Sequence, residues 1–316
     1  MSAGQSLWAD SFNRLALQAG ACAWGSVKAS ELPAEVYERM CHWVEAGGNA
    51  TMDYLARHLN LKKSLNSVLP ECNSILSFAF PYFHEVANRD NALRFSRYAM
   101  GHDYHVALRK RLKPLAAYLK DEFGGRTRIC VDSAPVAERF WALQCGVGSI
   151  GRNGLLYVPG YGSWVFLAEI LCTACVPERN GGAHAGMPRQ CESCRLCADA
   201  CPGKAIGDSC TVDCRQCRSY LTIECRDDRL PEGINLGNRI YGCDICQEVC
   251  PLNRSVAEGL ADFEPLERLT HLTRERIKEM GEQEFLSITK GTPLSRITLA
   301  QLKRNTELPG TAGCLK

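Results

Sequence analysis

The sequence predicts a mixed α/β (α+β) protein with a thiol-rich metal module set into it and a small helical C-terminal part. Three observations carry this reading. Short apolar runs with strand character recur in the first half, at 74–80, 128–132, 155–158 and 164–171. One amphipathic stripe, Tyr104, Leu108, Leu112, Leu115, Leu119 and Phe123, steps at helical spacing among them. Eleven of the nineteen cysteines lie between Cys191 and Cys250, with seven before them and only Cys314 after.

Taken in order, the chain opens on Met1 to Gly25, where Asp10 and Arg14 interrupt any leader pattern, so no secretory signal is expected. The stripe from Tyr104 to Phe123 contains Pro114, which predicts a kink or two abutting helices. The most apolar stretch, 155–176, is broken by Pro159, Gly160, Gly162 and Glu169. It falls short of the roughly 20 apolar residues of a spanning helix. Residues 177–190, with Gly181, Gly182, Gly186 and two prolines, read as a linker. The expected division is an α/β catalytic domain at 1–176, a metal module at 177–253 and a helical segment at 254–316, whose joints are Gly281 and Gly291-Thr292-Pro293.

Composition narrows the class. With 316 residues, 46% hydrophobic and 23% charged, the chain is globular and long enough to bury a core without disulfides. Thirty-seven basic against 35 acidic residues give a net charge of +2, which neither advertises nor excludes nucleic acid. A cytoplasmic monomer off the membrane, its thiols reduced or on metal, is the expectation.

The metal is legible. Cys191, Cys194, Cys197 and Cys201-Pro202 make a complete C-x2-C-x2-C-x3-C-P run. In such a run three thiolates wrap one 4Fe-4S cube, and the fourth ligates another. Cys243, Cys246 and Cys250-Pro251 repeat the pattern without its leading cysteine, Ile240 standing there. Crossing the ligands assigns Cys191, Cys194, Cys197 and Cys250 to cluster 1. Cluster 2 then has Cys201, Cys243, Cys246 and one thiol from among Cys210, Cys214, Cys217 and Cys225. Structural zinc also uses C-x2-C pairs, but paired C-x3-C-P endings are not zinc-ribbon spacing. Two clusters in a ferredoxin-like module imply electron transfer.

Further segments carry a resemblance. These are Arg97-Tyr98-Ala99 with Gly101, Asp103, Tyr104 and His105, Asp132-Ser133-Ala134-Pro135 with Glu138 and Arg139, and Gly151-Arg152-Asn153. Gly162-Ser163-Trp164 through Glu169-Ile170, Ser219-Tyr220-Leu221-Thr222-Ile223-Glu224 and Gly237 through Cys243 complete them. With the cysteine runs, the chain resembles the epoxyqueuosine reductases, cobalamin-dependent enzymes of queuosine biosynthesis in tRNA, over most of residues 50–305. The resemblance implies Cys217 as the missing ligand and a cobalamin between the α/β domain and the ferredoxin-like module. It implies an external electron donor and a tRNA substrate carrying epoxyqueuosine. It also makes Asp132 the proton donor to the departing oxygen, kept protonated by burial beside the corrin; the plain alternative is that Asp132 caps the turn after its strand. Lys62, Asp132, Leu156, Leu167, Ser219, Cys243 and Asp244 match cobalamin-contacting positions. Lys62 stands where the family usually has arginine, and a lysine lacks the guanidinium fork.

Seven basic residues between Asn88 and Lys113 (Arg89, Arg94, Arg97, Arg109, Lys110, Arg111 and Lys113), with Tyr98 and Tyr104 among them, could hold phosphates and stack a base. Arg97, Tyr98 and Arg139 are the candidate tRNA or substrate contacts. Two other functions fit the cysteines: a corrinoid reductase of small molecules, and an electron-carrier subunit.

Overall fold

The computed structural model describes residues 3–86, 93–179, 186–208 and 210–307, with side chains from Trp8 onward. Arg89 and Asp90 of the basic stretch, Gly181 and Gly182 of the linker, and Cys314 lie outside them.

A four-stranded antiparallel sheet forms the centre of the N-terminal half. Its strands are β1 (Ala23–Lys28), β2 (Ser74–Pro81), β4 (Thr127–Cys130) and β7 (Val165–Cys172), in the order β1-β2-β7-β4. Two pairs of short strands lie elsewhere among the described residues: β3 (Arg94–Phe95) runs parallel to β8 (Arg239–Tyr241), and β5 (Ser149–Ile150) pairs with β6 (Leu156–Tyr157).

Every residue of β2 is buried, because both faces are covered. Side chains alternate across a strand. Leu76, Phe78 and Phe80 therefore point into one core with Phe166, Ala168 and Ile170 of β7. Helix Ala3–Gln18 brings Trp8 and Phe12 to that core, and helix Tyr104–Phe123 brings Leu108, Leu112, Leu115 and Leu119. Burying each such side chain contributes about 1.5–3 kcal/mol. The stripe read from sequence is thus one element, running through Pro114, which lies on its exposed side. There the Lys110 carbonyl that loses its partner can be hydrated.

The opposite face of the sheet packs Ile75, Leu171 and Cys130 against Trp141 of helix Glu138–Gln144. The alternation places Glu169 on this same face, level with Ser77 of β2 and Cys130 of β4.

A second core joins Phe95, Ala99 and Met100 to Ile223, Ile240 and Tyr241, and to Leu269, Ile277, Phe285 and Leu302 of the C-terminal helices. Between the two cores runs the thiol-rich region, whose helices are four to six residues long. Side chains from outside hold it. Arg152 donates to the carbonyls of Cys191, Glu192 and Cys194. Arg304 donates to those of Leu221 and Cys225, and Asn305 to those of Thr222 and Ile240. Among the described residues no helix is long and apolar enough to cross a membrane.

Candidate active site and metal centre

Helix Tyr104–Phe123 begins on Asp103, whose carboxylate accepts the His105 N–H at 2.9 Å and caps the helix. The same oxygen meets His105 Nδ1 at 2.8 Å. The capped turn aims two side chains at the loop after β4. Tyr104 donates its hydroxyl to Asp132 Oδ2 at 2.9 Å, and His105 Nε2 lies 3.1 Å from the same oxygen. The Tyr104 ring stacks on Phe166 with centroids 4.3 Å apart, so the sheet core fixes its direction.

Asp132 has φ +55°, a left-handed conformation that costs a non-glycine residue about 1–3 kcal/mol. Its backbone N–H donates to Glu138 Oε1 at 2.7 Å. Arg109, donating to Ser133 Oγ at 3.0 Å, ties the next residue to the helix.

Burial of Asp132 works to raise its pKa, but hydrogen bonds from His105 and Tyr104 outweigh burial and hold the carboxyl below its ordinary value. His105 is pushed up to about 9 by its bonds to Asp103 and Asp132. The expectation was an Asp132 kept protonated by burial beside a corrin; the hydrogen bonds from His105 and Tyr104 act in the opposite sense. A raised imidazole against a lowered carboxyl favours an imidazolium–carboxylate pair at this 3.1 Å contact near neutral pH.

Solvent reaches 58% of the Asp132 side chain. Lys62 and Glu138 nonetheless feel its charge, as do Tyr54 and Arg296. Arg296 bonds Glu224 at 2.6 Å and lies over the Tyr54 ring. Asp132 is thus open to solvent and within electrostatic reach of Tyr54 and Arg296.

The other sequence candidates fall as follows. Lys62, lowered first by burial and then by the Arg139 charge, sits beside Arg139, Glu138 and Asp132. Arg139 donates to the Gly154 carbonyl. Leu167, Ser219 and Cys243 keep part of their surface accessible, whereas Leu156 and Asp244 are buried. Asp244 accepts from Ser96 and from the Arg97 N–H, fixing the loop that carries Cys243 and Cys246. Arg97 bonds Glu248 at 3.2 Å and lies over Trp164, and Tyr98 packs among Tyr104, Phe166 and Tyr241. Both are half-buried and held by these partners within the protein. Arg94, Arg109, Lys110 and Lys113 stay exposed. Sequence reasoning missed His105, Arg296 and Glu224 as site residues. For His105 a signal existed, an acid two residues before it at a helix start.

Burial raises the Cys191 thiol, and Cys250 and Cys194 act on it in the same sense. Cys197 feels Cys191, Cys250 and Cys194. In the second group Cys217 feels Cys201, Cys243 feels Cys217, and Cys246 feels both Cys243 and Cys217. Cys246 also feels Cys197, so the two groups adjoin. Of the remaining thiols, Cys214 feels Cys217, and Cys225 turns to Asp227. Backbone N–H groups of Ser219 and Tyr220 point at Cys217, and that of Ala205 at Cys201. Such bonds stabilise thiolate and tune an iron–sulfur cluster.

Among the described residues no three His, Cys, Asp or Glu side chains meet at a single-ion site. Thiolates on a cuboid stand at its corners, further apart than the ligands of one ion. Arg218, next to Cys217, is buried with Nε and Nη1 unpartnered. A buried guanidinium without an acceptor calls for an anion beside it, and a thiolate-bound cluster fits that need.

Comparison with known proteins follows the same division. Residues 63–133 match the family model "Epoxyqueuosine reductase QueG, DUF1730", and residues 190–253 match "4Fe-4S double cluster binding domain". An epoxyqueuosine reductase of Gloeobacter violaceus is 36% identical over 292 residues, 89% of each chain. One from Pseudomonas aeruginosa is 36% identical over 83% of this chain and 74% of its own. The fold superposes with TM-score 0.83 and 25% identity, over 96% of this chain and 80% of the other, on a crystal structure of epoxyqueuosine reductase with an epoxyqueuosine-modified tRNA-Tyr stem loop. A Bacillus subtilis epoxyqueuosine reductase with its catalytic aspartate loop swung out of the active site gives TM-score 0.81 at 25% identity, over 96% of this chain and 80% of its own. The two matched family models and the 36% identity over 89% of the chain lead to one conclusion: the chain belongs to the epoxyqueuosine reductase family.

Proposed function

We propose that this protein removes the epoxide oxygen of epoxyqueuosine in the anticodon loop of tRNA, leaving queuosine. The observation that carries the reading is the Tyr104–His105–Asp132 group, open to solvent and within electrostatic reach of Arg296. Loss of the oxygen as water takes an electron pair and a pair of protons. Cys191, Cys194, Cys197 and Cys250 are read as ligands of cluster 1, and Cys201, Cys217, Cys243 and Cys246 as ligands of cluster 2. An external donor feeds the electrons in.

Cobalamin, held by Lys62, Asp132, Leu167, Ser219 and Cys243 with backbone contacts at Leu156 and Asp244, supplies a strongly reducing cobalt centre when bound. Around it the protein manages protons. An alkoxide leaves poorly, and a positioned acid lowers that barrier by about 10²–10⁴-fold in rate. His105 holds the proton, Asp132 lies between the imidazolium and solvent, and Tyr104 keeps the carboxylate oriented. Arg109, Lys110 and Lys113, exposed on the same helix, take tRNA phosphates, and the modified base is splayed out of its loop to enter. Arg139, beneath Asp132, helps to set the floor of the site. The protein works as a cytoplasmic monomer, and residues 1–176, 177–253 and 254–316 are its catalytic, electron-transfer and helical parts.

The test is anaerobic reconstitution with iron, sulfide and cobalamin, followed by mass spectrometry of nucleosides from epoxyqueuosine-containing tRNA. The modified nucleoside should lose the mass of one oxygen. Fully loaded protein that leaves it unchanged under strong reduction would end the proposal.

A further inference from the structure

Behind Asp132 lies a second acidic pair that the reaction as described does not use. Glu169 is 0% exposed, in the middle of the sheet. Ser77 Oγ donates to its Oε1 at 3.4 Å, and its Oε2 has no partner. The Glu138 carboxyl lies within hydrogen-bonding reach of it. Two carboxylates pressed together in this way cannot both be ionised. A proton on Glu169 Oε2, with Glu138 as its acceptor, satisfies both groups. The other job of Glu138 is to accept the N–H of Asp132, whose left-handed backbone needs an anchor.

We infer that Glu138 and Glu169 form one proton-sharing carboxyl pair that positions the Asp132 loop. Glu169 keeps its proton, Glu138 is the ionised clamp on the Asp132 N–H, and the clamp weakens when the pair takes up a second proton. The reason is that a hydrogen bond to a carboxylate is roughly twice as strong as one to a neutral group. The inference rests on the reading of Asp132 above, and it makes Glu138 and Glu169 positioning residues.

The surroundings agree in sign. Glu138 faces Asp132, Lys62, Arg139 and Glu169. Burial and then the Asp132 charge push it up to about 7, against the weaker pull of Lys62 and Arg139. Glu169 faces Glu138, Asp132 and Ser77, with the Cys130 and Cys145 thiols nearby, and burial followed by the Glu138 charge raises it well above the ordinary carboxylate value.

The test uses the reconstituted holoenzyme and two readouts. Infrared spectroscopy at pH 8 should show a protonated carboxyl band that Glu169→Gln removes. A second band should grow as pH falls through about 7 and be absent in Glu138→Gln. Single-turnover rates of the wild type should fall below about pH 7, whereas Glu138→Gln should lose that acid limb and run about tenfold slower at pH 8. Glu169→Gln, whose amide still donates to Glu138, should stay within about threefold of wild type and shows that the fold tolerates a change here. No protonated carboxyl at pH 8, or an acid limb that survives in Glu138→Gln, overturns the inference. Should Asp132→Asn turn over normally, the role of Asp132 fails while the infrared result still stands, so the two failures are separable.

Discussion

The sheet half and the thiol-rich region are stabilised by different physics. In the sheet, Phe12, Phe78, Leu108 and Leu112 are sealed from water at 0% exposure, and the strands satisfy one another's backbones. In the thiol region, helices of four to six residues are too short to stand alone, and its carbonyls are met by Arg152, Arg304 and Asn305 from elsewhere. The first half folds around apolar area. The second is shaped to receive clusters and is held in place by borrowed side chains. The Asp132 group proposed to manage protons and the cluster-binding thiols thus sit on frameworks with different sensitivities.

The largest expected effect breaks the second framework alone. Cys217→Ala should abolish turnover and cut bound iron from about eight to about four or fewer per chain, while helix and sheet signals from the N-terminal half persist. Iron analysis and circular dichroism on the same anaerobic sample check both halves of the statement.

Asp132→Asn should do the converse. Iron content and fold stay, and single-turnover deoxygenation falls by about 10²–10⁴-fold. A milder change on the same framework is His105→Gln. His105 is raised above its ordinary value in the folded protein, so its proton is present at neutral pH and lost as pH rises through about 9. Wild-type turnover should decline on that basic limb. The variant should be slower by roughly 10²-fold, with the limb gone. The sign for stability is the same: the His105⁺ pairing stabilises the fold below its unfolded pKa and is lost through about 9.

The smallest pair of effects sharpens the contrast thermodynamically. Phe78→Ala should destabilise the sheet half by about 3–5 kcal/mol whether or not clusters are bound. Asn305→Ala leaves the Thr222 and Ile240 carbonyls without their donor, a cost of about 1–3 kcal/mol. That cost should show mainly in faster cluster loss under chelator. Equal sensitivity of both variants to cluster removal would erase the distinction drawn between the halves.

Legibility in the sequence divides along the same line. Helix Tyr104–Phe123 and the long strands were readable because amphipathic period and apolar runs are local signals. The cysteine spacing was readable because cluster geometry constrains ligand spacing within each run. Arg296 and Glu224 were not readable as a pair, since they meet across 72 residues of chain; Glu224 closes a recognisable segment, but Arg296 belongs to none and nothing local joins the two. Arg97 and Tyr98 were ambiguous for the opposite reason: a basic and an aromatic residue side by side describe a phosphate-and-base contact as well as they describe a half-buried pair against Trp164 and Tyr241. Glu169 was visible as an acid inside an apolar run, but its value as a signal depends on Glu138, which only the sheet brings to it.

The parallel pairing of β3 with β8 has a consequence for inheritance. Arg94 and Phe95 are contributed from within the N-terminal half, yet they complete the ladder and the core of the body around the thiols. A recombination event that moved residues 187–253 into another gene would leave that ladder with one rail and the core with a hole where Phe95, Ala99 and Met100 had been. The electron-carrying portion is therefore not a cassette. It can be traded between lineages only along with the stretch around residues 93–100, which ties descent of the two halves together.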